Sequence, residues 1–173
     1  MAGRAIFLVG LMGSGKTTVG KILARGMGRR FVDTDSLVEA RSGRRVAEIF
    51  AAQGEPAFRR LEEKALKSID LKRGLVVATG GGIVTRPSNL AWMKRHGVVV
   101  YLSLSARSIF RRLGPGQRRR RPLLAGGLSG LKSLAAQRAP LYAQAHLRVA
   151  AARRPQAVAK TILRRVDSQK VPC

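Results

Sequence analysis

The chain has 173 residues, 45% of them hydrophobic and 25% charged, with 34 Lys and Arg against 9 Asp and Glu for a formal net charge of +25. That length suits one domain with a substantial core, and no stretch approaches the ~20 apolar residues that a membrane span requires. The single cysteine, Cys173, is the last residue, which excludes an internal disulfide and argues against thiol catalysis. Met1-Ala2-Gly3-Arg4 leads straight into an apolar run; this leaves no room for a secretory leader, and a cytoplasmic protein is expected. The charge is unevenly spread: eight of the nine acids lie at or before Asp70, the ninth is Asp167, and residues 71–166 carry twenty Lys and Arg with no carboxylate. Such a balance fits anionic ligands or a nucleic-acid surface, or else solvated arginines.

In chain order, the first expected strand is Ala5–Val9. Gly10-Leu11-Met12-Gly13-Ser14-Gly15-Lys16-Thr17-Thr18 follows and fits the P-loop pattern G-x-x-x-x-G-K-[ST]. Its glycines let backbone N–H groups curl around phosphate oxygens. Lys16 supplies a positive charge for the outer phosphates, Thr17 offers a hydroxyl to Mg²⁺, and the helix starting there aims its positive end at the anion. That helix is expected to end near Gly26 or Gly28. A strand at Phe31–Val32 precedes Asp33-Thr34-Asp35, with Asp35 expected to cap a helix Ser36–Arg41 closed by Ser42-Gly43. Helices are expected over Val46–Ala52 and Ala57–Ile69, broken at Gly54-Glu55-Pro56. Strands follow at Leu75–Ala78 and Val98–Leu102, and a weaker one at Leu147–Ala150. Pro87-Ser88-Asn89 opens a helix through Arg95, Ser105 caps one running to Leu113, another spans about Ser129–Ala145, and Pro155 begins the last. Residues 114–127 have Gly and Pro at both ends and a basic centre, the pattern of a mobile flap. Lys170–Cys173 is expected to be a loose tail. Short continuous apolar runs alternating with helical patterns indicate an α/β domain with a parallel sheet covered on both faces.

Ligands of such sheets bind at the carboxyl ends of the strands. Asp33 and Asp35, two apart on an extended segment, would face the same way. One can hold Mg²⁺ through its waters, and the other can accept the proton of an alcohol nucleophile. Neither later strand-like run has an acid at its end, so a conventional Walker-B aspartate is missing and these two carry the burden. Thr79-Gly80-Gly81-Gly82 gives a backbone that something approaches closely. Arg59 and Glu62, three apart on a helix, can pair and hold a guanidinium for a carboxylate ligand. Among Arg118–Arg121, an arginine can reach phosphate at the transition state or contact nucleic acid. The sparse aromatics do not interleave with the basic runs as a stacking platform requires, and His96 and His146, each isolated, are most simply structural.

Taken together, these motifs resemble the shikimate kinases, which are similar to nucleoside-monophosphate kinases. The resemblance runs from Ala5 to about Arg165 and rests on Gly10–Thr18, Phe31–Asp35, Gly54-Glu55 with Phe58-Arg59 and Glu62, Gly80–Gly82, Arg121-Pro122-Leu123-Leu124 and Arg138-Ala139-Pro140-Leu141-Tyr142. It implies a single P-loop kinase domain over 1–173, a three-layer α/β sandwich with a five-stranded parallel sheet of order 2-3-1-4-5. It also implies substrate-binding helices over about 33–62 and a lid at about 114–127. The implied reaction moves the ATP γ-phosphoryl group to the 3-hydroxyl of shikimate. By position, Gly13, Ser14, Gly15, Lys16, Thr17 and Thr18 hold the phosphates, Thr17 and Asp33 serve Mg²⁺, and Asp35 binds shikimate hydroxyls as the candidate base. Arg59 and Arg138 clamp the shikimate carboxylate, Gly81 and Gly82 meet the substrate through backbone, Arg121 reaches the phosphates, and Arg112, Arg154 and Pro155 flank adenine. A monomer with no membrane partner and no specific nucleic-acid partner is expected. The alternatives are another small-molecule kinase on this fold, such as a gluconate-type kinase, and a P-loop module binding RNA or DNA through its basic half.

Overall fold

All five residues of β1 (Ala5–Val9) are buried. Ala5, Phe7 and Val9 point into one hydrophobic cluster, and Ile6 and Leu8 into another on the opposite side. A strand with two apolar faces must lie inside a sheet covered by helices on both sides. In the computed structural model, which describes residues 4–72, 74–119, 124 and 126–168, β1 is the central strand. It pairs in parallel with β3 (Leu75–Ala78), Ile6 opposite Val76, and with β4 (Gly97–Ser103), Ile6 opposite Val98. β2 (Arg30–Asp33) and β5 (Leu147–Ala150) form the edges, giving a five-stranded parallel sheet of order β2-β3-β1-β4-β5.

On one face α1 (Lys16–Gly26) and α8 (Pro155–Ser168) bury Val19, Leu23, Val158 and Ile162. The opposite face receives Leu90 and Met93 of α4 (Pro87–His96), Ile109 of α5 (Ala106–Arg112) and Leu131 of α7 (Gly127–Tyr142). A short α6 (Pro115–Arg119) falls within the expected flap, most of whose remainder lies outside the described residues. The expected tail at Lys170–Cys173 also lies outside them. His96 stacks on Trp92 with centroids 4.3 Å apart, and His146 Nδ1 accepts the backbone N–H of Val99 at 3.0 Å, so both histidines serve the scaffold.

One local expectation is corrected. The helix α2 (Thr34–Ser42) is capped by Asp33, not Asp35: Asp33 stays extended and its carboxylate accepts the N–H of Asp35, which already sits in the first turn. The two helices expected before Ile69 are both present, running together as α3 (Val46–Lys67) and broken at Gly54, whose φ of 75° and ψ of 173° are non-helical. Pro56 then starts the second limb, where a missing N–H costs little. α2 and α3 share a small core of Val38, Ile49, Phe58 and Ala65.

Candidate active site

The segments that follow all five strands converge at the carboxyl edge of the sheet. The loop after β1 turns through left-handed glycines, and the last, Gly15 at φ 96°, caps α1 without any side-chain hydrogen bond. The first-turn N–H groups of α1 therefore remain available to an anion. Lys16 Nζ is held over the loop, donating to the carbonyls of Gly10 at 2.8 Å and Leu11 at 2.9 Å. Thr17 Oγ1 donates to Asp33 Oδ2 at 2.8 Å, while Asp33 Oδ1 takes the N–H of Asp35 at 3.1 Å. One carboxylate thus ties the P-loop helix to the start of α2.

A cavity of about 670 Å³ opens over these groups. Of the residues that sequence points to for nucleotide and metal, it gathers Gly13, Gly15, Lys16, Thr17, Thr18, Asp33, Arg112, Arg154 and Pro155. Ser14 is buried beneath the loop, with its hydroxyl unpartnered. Arg112 also donates to the carbonyl of Ala151 at 2.8 Å, joining the end of α5 to the segment after β5. Arg121 lies outside the described residues.

A second cavity of about 450 Å³ adjoins the first, lined by Asp35, Arg59, Gly81, Gly82 and Arg138 and also by Glu39, Arg45, Phe50 and Phe58. Met12, Asp35, Gly81 and Gln117 border both, so Asp35 stands at their junction. Phe50 and Arg153 have no motif to announce them, and only tertiary placement makes them wall residues.

Charge in the second cavity is arranged through α3. Arg59 donates to Glu62 Oε2 at 2.7 Å and to Glu55 Oε1 at 2.8 Å, and its guanidinium lies 5.2 Å from the Phe58 ring centroid. These acceptors and rings fix the guanidinium in one orientation. Gly80 and Gly82 follow from this: a Cβ on Gly80 would come 2.0 Å from Glu62 Oε1, and one on Gly82 2.0 Å from an Arg59 nitrogen. The close approach that the glycine run implies is made by these side chains. The run is also tied down, since Gly80 N–H donates to Thr34 Oγ1 at 2.9 Å and the Tyr142 hydroxyl to the Gly81 carbonyl.

Three buried polar atoms here have no hydrogen-bond partner: Asp35 Oδ1, Glu62 Oε1 and Arg138 Nη1. Orphaned buried groups are costly, and a ligand with its own donors and an anionic group would satisfy them. Burial raises the Asp35 carboxyl above its ordinary range, and neighbouring Asp33 pushes the same way, while Lys16 and Arg59 pull it back. Burial raises Glu62 to about 7 against the opposing pull of Arg59. A hydroxyl and a carboxylate oxygen at the P-loop, Thr17 and Asp33, are the hard donors that Mg²⁺ takes, since it keeps much of its water shell.

A family model described as shikimate kinase matches residues 12–167. A shikimate kinase of Gloeobacter violaceus is 48% identical over 168 residues, covering 95% of this chain and 93% of that protein. A solved structure of shikimate kinase from Acinetobacter baumannii in complex with shikimate is similar at a TM-score of 0.91 and 36% identity, covering 98% of this chain and 96% of that one. A gluconokinase structure from Sinorhizobium meliloti, at TM-score 0.56 and 18% identity, shares the fold alone.

Proposed function

The chain belongs to the shikimate kinase family, and from that premise we propose that it transfers the ATP γ-phosphoryl group to the 3-hydroxyl of shikimate, giving shikimate 3-phosphate and ADP in aromatic amino-acid biosynthesis. The observation that carries the proposal is the junction at Asp35, where the cavity over the P-loop meets one walled by two buried arginines, Arg59 and Arg138. Phosphoryl transfer depends mainly on positioning and charge stabilisation. Arg59 and Arg138 would receive the carboxylate of shikimate, the unpartnered Nη1 of Arg138 gaining an acceptor. Asp35 would orient the attacking hydroxyl and accept its proton as the new P–O bond forms. The N–H groups of the P-loop and Lys16 would hold the phosphates. Thr17 would bind Mg²⁺ directly and Asp33 through water; when bound, the ion neutralises charge on the β- and γ-phosphoryl oxygens.

We further infer that 1–173 is a single domain and that residues 114–127 act as a lid carrying Arg121 to the phosphates and excluding water. Gln117, at the foot of that segment, borders both cavities, which supports this placement. Arg112, Arg154 and Pro155 would flank adenine. A monomeric enzyme acting in the cytoplasm is part of the same proposal. No helix among the described residues is long and apolar enough to cross a membrane.

Coupled ADP release with ATP and Mg²⁺ tests the proposal. Turnover is expected with shikimate and not with gluconate. ADP release that ignores shikimate, or prefers gluconate, overturns it.

A further inference from the structure

The outer face of α1 and α8 carries charge that the active site does not use. The two helices pack side by side on one face of the sheet. Each buries one apolar stripe, Val19 and Leu23 on α1 and Val158 and Ile162 on α8, so their opposite sides meet solvent. There stand Lys21 and Arg25 on α1 and Lys160 and Arg164 on α8, all exposed. Both pairs are spaced i,i+4, which sets each on one helix face about 6 Å apart along the axis. Because α1 and α8 each follow a strand of one parallel sheet, they run in the same direction, with axes roughly 8–10 Å apart by helix-packing geometry. The pairs therefore form a grid of cations. No acidic residue occurs on either helix before Asp167. Arg165 extends the field toward the sheet edge, donating to the Arg148 carbonyl on β5 at 3.0 Å.

We propose that this face binds the phosphate backbone of duplex nucleic acid without sequence preference. A duplex presents about one negative charge per 1.7 Å of axis, a dense partner for paired rows of Lys and Arg. Neither helix contains an aromatic residue, so there is no platform on which single-stranded bases would stack. Ile22, Leu163 and Val166 pack against the core, and the exposed positions Thr17, Thr18 and Ala157 offer no bulky apolar group to enter a bilayer headgroup layer. The grid has cations for phosphates and nothing aimed at base edges. Lys21, Arg25, Lys160 and Arg164 border neither active-site cavity, so the two activities are separable.

Fluorescence anisotropy with a labelled DNA duplex of arbitrary sequence tests this. Binding should weaken roughly 10²-fold between 50 and 200 mM salt, the slope expected for about four phosphate contacts. The variant K21E/R25E/K160E/R164E should lose at least about tenfold in affinity at low salt with a flatter slope, while keeping its kinase turnover as proof of folding. If that variant does not fold, the neutral set K21Q/R25Q/K160Q/R164Q serves. A matched control on the other face of the sheet, K94E/R95E/R107E/K132E, has the same net charge and should bind far better than the first variant. Absence of salt-dependent duplex binding, equal loss in the control, or capture by phosphatidylserine vesicles in place of duplex would each overturn the proposal.

Discussion

As the proposed base, Asp35 meets two opposed demands. To take a proton from an alcohol it must be ionised, yet burial and the charge of Asp33 both favour its protonated form. Lys16 and Arg59 lower the carboxyl again, so their charge would keep the proposed base usable. A base with a raised pKa loses activity as pH falls through that pKa. The acid limb of kcat/KM for shikimate should therefore lie above the ordinary aspartate range near 3.8; a limb at or below that range would show that Asp35 is not the titrating base. Glu62 acts on stability. Its carboxyl rises from about 4.5 in the unfolded chain to about 7 when folded. The native state thus binds more protons between those values, and stability declines as pH rises across that window. Melting temperatures of E62Q should decline less from pH 4.5 to 7 than those of the parent; parallel curves would contradict this. The sequence pointed to Asp33 and Asp35 by the absence of later acids, and that inference depended little on local geometry. They do not share an extended segment, because Asp33 caps the helix in which Asp35 sits, yet both border the cavity over the P-loop. The unpartnered oxygens of Asp35 and Glu62 were not legible, since burial of single atoms depends on the whole packed site.

At the scale of elements, the glycines after β3 show how one segment conforms to another. α3 carries Arg59 and Glu62 against the Gly80–Gly82 turn so closely that no Cβ fits at Gly80 or Gly82. Gly82→Ala should displace the Arg59 guanidinium, raising KM for shikimate by tenfold or more, the size expected on losing one charge-assisted contact, with KM for ATP little changed. Equal change in both constants would point to general unfolding of the loop. The strands and most helix starts were legible because each is set by local signals: continuous apolar runs, Ser105 and Pro87 at helix starts, Gly43 at a helix end. The break in α3 was legible as well, since Gly54 and Pro56 both interrupt a helical run. What was not legible is that both limbs share a small core with α2, because local signals do not say which helices are neighbours.

Across the whole molecule, alternation of strand and helix patterns specified a parallel α/β sandwich, but the strand order came only from family resemblance, since periodicity does not say which strands are neighbours. The two cavities could not be foreseen as volumes; they exist because segments after all five strands meet at one edge of the sheet. The excess positive charge divides by place. Lys16, Arg59, Arg112 and Arg138 belong to the cavities, whereas Lys21 and Arg25 of α1 and Lys160 and Arg164 of α8 are exposed on the outer face. We propose that the two cavities work as one because Asp35 joins them. Single-turnover phosphoryl transfer by Asp35→Asn, with ATP, Mg²⁺ and shikimate all saturating, tests it most directly. Transfer should slow by about 10²–10⁴-fold, the usual contribution of a positioned general base, and a rate equal to that of the parent enzyme would contradict the account.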